Sequence, residues 1–204
     1  PDHPDNAQAS AHIGKGSPTS VKFGHQSNFP HAYQEALYAL DWTYGRIIAV
    51  HMVERGAGYV GVPEVFLRGR PLNVTDLGFG PDGAMYFVTG GRKTQSALYR
   101  VRYVGPDHKP FPATNQQAAR SKLSDKARDV RRKLEFLHGK HIDDALLGDG
   151  SAGKLVVLWP HLGSPDPRIR YAARIVLEHQ PLERWRHATL TGNGDPLTLL
   201  TVWT

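Results

Sequence analysis

The sequence predicts a β + α multidomain chain, with a partial β-propeller of about two blades followed by an α-solenoid. Three observations carry this. Fourteen of the 21 glycines and 13 of the 19 aromatic residues fall in residues 1–110. Short apolar runs alternate there with turn-forming residues, as β structure requires. After residue 111 the apolar residues recur at helical spacing instead.

The β elements follow in order. Residues 1–16 are polar and read as an irregular segment, ahead of propeller strands over 17–105. Strands are predicted at Thr19–Phe23, Glu35–Asp41 and Arg46–Val53, then, past a Gly-containing turn at residues 54–58, at Glu64–Leu67. A second cycle runs through Val74–Phe79, Ala84–Thr89 and Ala97–Val104. Between the first two of these, Pro81-Asp82-Gly83 supplies a fixed φ, a turn-forming carboxylate and a position that tolerates positive φ. Strands at this spacing, in units of roughly 40–50 residues, match four-stranded blades. Two blades cannot close a ring of at least four, so the chain, which begins at Pro1, reads as a piece of something longer.

Residues 106–120, with Pro106, Pro110 and Pro112, read as a linker into a helical part over 121–204. Ser124 is expected to cap a helix ending at Gly139, with an apolar stripe of Leu123, Ala127, Val130, Leu134 and Leu137. A second helix is expected over Ala152–Leu162. A third opens at Asp166-Pro167, a cap followed by a proline in the first turn. Its buried face comprises Ile169, Ala172, Ala173, Val176 and Leu177, with Arg168 and Arg174 turned to solvent. Further helices are read at Leu182–Leu190 and from Asp195.

Composition narrows the chemistry. The 25 Lys+Arg and 19 Asp+Glu give a net charge of +6, and no apolar run reaches the roughly 18 residues of a membrane helix. Without cysteine, thiol catalysis, thiolate metal sites, disulfides and covalent haem attachment are excluded within this chain. His138 and His141 have His-x-x-His spacing, but Gly139 breaks the helix that would align them, and no metal site is expected. Seven basic residues between Arg120 and Lys133 are compatible with a nucleic-acid patch, yet no aromatics interleave with them. A solvated helix face is the favoured reading.

Particular residues carry a family resemblance. Gly16-Ser17-Pro18-Thr19, Phe29-Pro30, Asp41-Trp42, Gly45-Arg46-Ile47, Asp76 and Pro81-Asp82-Gly83-Ala84-Met85-Tyr86 resemble the last blades of soluble, quinone-dependent sugar dehydrogenase propellers. Phe23-Gly24-His25, Asp41-Trp42-Thr43-Tyr44-Gly45-Arg46, and Thr89-Gly90-Gly91-Arg92 through Thr94-Gln95-Ser96 to Leu98-Tyr99-Arg100 are closer to the propeller module of large secreted planctomycete-type proteins. Leu162-Gly163-Ser164-Pro165-Asp166 leading into Ile169-Arg170-Tyr171-Ala172-Ala173-Arg174 resembles a HEAT repeat. Those proteins join propeller, HEAT repeats and a c-type cytochrome domain.

The resemblance implies a secreted or periplasmic scaffold or binding module tied to electron transfer or carbohydrate metabolism. Its partners would be the rest of its propeller, further HEAT repeats, and a carbohydrate or redox partner. Haem c would sit in another domain. An alternative is a quinone-dependent sugar or alcohol dehydrogenase with its catalytic residues in other blades; another is a basic helical module for nucleic acid. Where the dehydrogenases hold the quinone with two arginines, this chain has Asn73 and Thr75, which lack the charge that fixes carboxylates. This counts against pyrroloquinoline quinone and Ca²⁺ here. No catalytic residue is assigned. The candidate ligand-binding residues are Asp41, Arg46, Asp76 and Arg92; for Asp41 with Arg46 a structural anchor competes, and for Arg92 a plain strand connection.

Overall fold

The computed structural model describes residues 9–106, 115–142 and 158–186. They divide into two compact units, one from residues 9–53 and 59–106, the other from residues 54–58, 115–142 and 158–186.

The first unit is built from seven strands, apart from the turn between the third and fourth. These are β1 (Pro18–Phe23), β2 (Leu37–Asp41), β3 (Arg46–Arg55), β4 (Gly58–Arg68), β5 (Val74–Phe79), β6 (Met85–Gly91) and β7 (Thr94–Val101). A one-turn helix, α1 (His31–Gln34), lies between β1 and β2. The strands form two antiparallel sheets, β1-β2-β3-β4 and β5-β6-β7. Strand β1 lies beside β5: the Thr19 hydroxyl donates to the Val74 carbonyl (2.9 Å) and the Ser20 hydroxyl to Asp76 (2.7 Å).

One apolar core serves both sheets. Tyr38 and Leu40 of β2 pair in register with Ala49 and Ile47 of β3, and period-2 alternation sends all four to the same face. Val74, Leu77, Met85 and Phe87 come from the second sheet, with Phe29 and Leu72 from the connections. Phe29 and Tyr38 meet Phe66 and Phe79 at centroid distances of 5.1–6.2 Å, within the range of favourable aromatic packing. Burial pushes the Tyr38 hydroxyl's pKa up, and that hydroxyl donates to the Tyr33 carbonyl (3.1 Å).

This arrangement overturns the expected propeller. Among the described residues neither sheet closes, and two sheets of four and three strands around one core make a fold more like a small β-sandwich. Recurrent turns at short intervals suit any antiparallel meander, and local pattern does not encode how the sheets pack.

The second unit contains α2 (Asn115–Phe136), the one-turn helix α3 (Trp159–Leu162), α4 (Pro167–Glu178) and a 3₁₀ turn at Leu182–Arg184. Leu134, Leu158, Leu162, Ile169, Ala172, Ala173, Val176 and Leu177 are buried together. The expected solenoid is also overturned: a solenoid stacks repeated helix pairs, and only α2 and α4 exceed one turn among the described helices.

Helix α2 starts nine residues before the expected cap. Nothing between Asn115 and Leu123 breaks a helix, and Ser124 is a buried interior residue. Leu123, expected in the stripe, is 68% exposed. Gly139 follows the helix with φ +73°, the left-handed conformation of a helix stop. The Asp166 cap is formed, its carboxylate accepting from the Arg168 N–H (2.9 Å). The expected helix at Ala152–Leu162 is described only over α3, that at Leu182–Leu190 only as the 3₁₀ turn, and that from Asp195 lies outside the described residues.

Two arginines depart from expectation. Arg174 is only 20% exposed, pairs with Glu178 (3.0 Å) and lies over the Tyr171 ring, while the Arg168 side chain packs on Gly58. Long arginine stems cover apolar surface when their heads find partners.

Candidate functional site

The β2–β3 hairpin organises the most chemically distinctive region. Asp41 ends β2 and is 1% exposed. Its carboxylate accepts from the Arg46 Nε–H (2.6 Å) and from the backbone N–H groups of Ser17 (3.0 Å) and Thr43 (3.2 Å). Burial acts to raise its pKa, but the Ser17 N–H and Arg46 outweigh it, and the carboxyl titrates below its usual range. Arg46 in turn donates to the carbonyls of Ile13 (3.1 Å) and Lys15 (2.9 Å). A Cβ on Gly16 would lie 2.6 Å from Asp41, so only glycine lets the segment approach this closely. Asp41 and Arg46 thereby clamp residues 13–17 onto the hairpin, which is the anchoring alternative for the pair.

A second approach completes the wall. Gly45 has φ +58°, and a Cβ there would lie 2.6 Å from the Gly69 carbonyl. The Gly69 N–H donates to the Gly45 carbonyl (2.9 Å), holding the β4–β5 connection, with its cis Arg70–Pro71 bond, against the hairpin. Between these segments lies a cleft of about 250 Å³ lined by Gly14, Lys15, Tyr44, Arg46, Arg68 and Arg70. It continues past Tyr44 and Arg70 into a groove of about 210 Å³ that reaches Thr43, Leu72 and Asn73.

The cleft is cationic. Lys15, Arg68 and Arg70 are exposed, and none has an ion-pair partner among the described residues. Arg46 is neutralised by Asp41 and lies 5.2 Å from the Tyr44 ring centre, beside a ring left 46% exposed. Planar guanidinium groups bind carboxylate, sulfate and phosphate through paired hydrogen bonds. Lys15, Tyr44, Arg68 and Arg70 are not among the candidate ligand-binding residues read from the sequence. Arg68-Gly69-Arg70-Pro71, two cations around a glycine in a turn, is the signal that marks them.

Arg92 lies against Trp42 of the same hairpin. It forms with Lys93 the two-residue turn from β6 to β7, so the strand connection is real, and its guanidinium sits 5.5 Å from the Trp42 ring centre. Both turn residues have positive φ (45° and 67°), a conformation usually given to Asn-Gly in such turns and costing of order 1 kcal/mol or more per ordinary residue. The Trp42 indole N–H donates to the Gly90 carbonyl (2.9 Å). Asn73 donates to the Trp42 carbonyl (3.1 Å), linking this turn to the groove.

Asp76 is elsewhere. It accepts from Ser20 and from the Leu77 N–H (2.8 Å), which hold its pKa down, and it does not line the cleft. Thr75 donates to the Val88 carbonyl (3.2 Å), so both residues at the quinone-arginine positions are spent on backbone carbonyls. Asp82 holds its turn, taking hydrogen bonds from Arg100, the Ala84 N–H and the Tyr86 hydroxyl.

In the helical unit, Arg128 is 4% exposed and pairs with Glu54 (2.8 Å) and Asp125 (2.6 Å), while Arg131 donates to the Ala57 carbonyl. The basic stretch is thus partly interior, which sequence could not show. His138 contacts the Ala172 carbonyl (3.0 Å). Among the described residues no three His, Asp or Glu side chains cluster as a metal site would require, and without cysteine no haem c attaches to this chain. No described helix is long and apolar enough to cross a membrane.

Comparison adds no relative: no family model, curated protein or solved structure matches the chain.

Proposed function

We propose that the β unit is a binding module for an anionic, carbohydrate-related ligand, acting within a secreted or periplasmic protein. The observation that supports this is the exposed cluster of Lys15, Arg68 and Arg70 around a cleft whose walls are held by the ion pair of Arg46 with the buried Asp41. Fixed walls matter because a preorganised site loses little entropy on binding. The lining residues supply hydrogen-bond donors, cations and one aromatic face, which are binding groups. The link to carbohydrate rests on the family resemblance and on Tyr44, whose exposed ring suits the C–H face of a sugar.

Titration of the whole chain with glucuronate, inorganic phosphate and glucose, followed by NMR shifts, tests this. Glucuronate should shift the amides of residues 14–15, 44–46 and 68–70, and Arg68→Ala with Arg70→Ala should weaken binding about tenfold or more. Glucose binding as well as glucuronate, or shifts confined to other residues, would refute the cleft.

A further inference from the structure

We infer that the β6–β7 turn is a second anion subsite, so that the ligand of this face is an acidic oligosaccharide running from the cleft to Arg92 and Lys93. The inference rests on the binding-module reading and extends it. Three observations lead there. Arg92 and Lys93 occupy both left-handed positions of a two-residue turn, where Asn-Gly is favoured and two long cationic side chains are not. An observed backbone outlier of this kind points to function at the position. Both side chains are exposed, neither has an ion-pair partner among the described residues, and Arg92 is held over Trp42.

The second observation is continuity. Trp42, Thr43 and Tyr44 are consecutive, Asn73 hydrogen-bonds Trp42 and lines the groove, and the Asn73 carbonyl accepts the Gly90 N–H (3.0 Å) beside the turn. These contacts place the β6–β7 turn next to the groove that leads from Lys15, Arg68 and Arg70.

The third is what lies between the cations. The groove is lined by Thr43, Tyr44, Gly45, Gly69 and Asn73, which bring two hydroxyl-bearing side chains and the side-chain oxygen of Asn73, whose amide nitrogen already donates to Trp42. Hydroxyl and amide groups between two cationic ends match a chain that alternates sugar hydroxyls with carboxylate or sulfate. A single-stranded nucleic acid asks instead for successive open aromatic platforms, and here Arg92 lies over Trp42, leaving Tyr44 as the one open ring of the two.

The test compares wild type, Arg68→Ala/Arg70→Ala and Arg92→Asn/Lys93→Gly as whole chains. The probes are glucuronate, pentagalacturonate, a heparin-derived hexasaccharide and a dT12 oligonucleotide, at fixed salt. The Asn-Gly variant should melt about 2–4 °C higher, because it relieves the turn. It should bind glucuronate normally, yet lose about tenfold in affinity for whichever oligosaccharide, carboxylated or sulfated, the wild type prefers. Unchanged oligosaccharide affinity in that variant, with loss in the arginine double variant, overturns the second subsite and leaves the cleft standing. Loss in neither overturns the cleft itself. Tighter binding of dT12 than of both oligosaccharides overturns the ligand class.

Discussion

Asp41→Ala is the substitution on which the architecture of the cleft depends most. The carboxylate is 1% exposed and accepts from Arg46 at 2.6 Å and from the backbone N–H groups of Ser17, Thr43 and Tyr44 at 3.0, 3.2 and 3.5 Å. Truncation leaves the guanidinium of Arg46, 15% exposed, beside an apolar methyl. Breaking a buried ion pair from one side typically costs about 3–5 kcal/mol, since the remaining charge stays desolvated. Arg46 keeps its bonds to the Ile13 and Lys15 carbonyls, so a cost near the lower end, about 3 kcal/mol, is expected. Urea unfolding of the whole chain, followed by near-ultraviolet circular dichroism, measures it. Amide exchange at Ser17 and Thr43 localises it, and both should speed up together. The paired change Asp41→Leu/Arg46→Met should cost less than the sum of the single changes, because no charge is left stranded. A loss under about 1 kcal/mol, with Ser17 exchange unchanged, would show that Asp41 does not hold the walls. Lost glucuronate binding without lost stability would instead make Asp41 a ligand residue.

Other outcomes follow from the same contacts. Asp166→Ala removes the α4 cap and the acceptor of the Ala57 N–H (2.6 Å), and should cost about 2–3 kcal/mol in urea unfolding, with Asp166→Asn recovering part of it. Ala173→Leu, at a site with no exposure, should cost about 1–3 kcal/mol, clearly more than Arg174→Ala, and equal costs in parallel melts would mean that the face is misassigned. Asp41, Asp76 and Asp82 all titrate below the ordinary carboxylate range when folded, so their contribution is present above about pH 4 and is lost as pH falls through the folded values. Melting temperature should therefore fall steeply below about pH 4, less so in Asp41→Asn. Titration with pyrroloquinoline quinone and Ca²⁺ should show no binding that depends on Asn73 or Thr75, since both donate to backbone carbonyls; micromolar binding abolished by Asn73→Ala would reverse that assignment.

Local order is legible in the sequence wherever a short-range cause produces it. Alternation and turn chemistry locate the strands around Ile47, Leu77 and Phe87, and the Asp166-Pro167 pair locates α4 and its buried alanines. The absence of cysteine is enough to exclude covalent haem attachment to this chain. Asp41 and Arg46, five residues apart, are also readable as an anchor. What the sequence leaves open is every property that depends on which segments meet. Turns repeat in a propeller as in a sandwich, so the count of strands per sheet and their common core around Phe29 and Tyr38 emerge only from tertiary packing. Lys15, Tyr44 and Arg68 are far apart in sequence. They line one cleft because Asp41 fixes residues 13–17 and Gly45 admits the β4–β5 connection. A cation's position along the chain says nothing about its neighbours, since the field at a site sums charges over distance in space, and folding alone sets those distances.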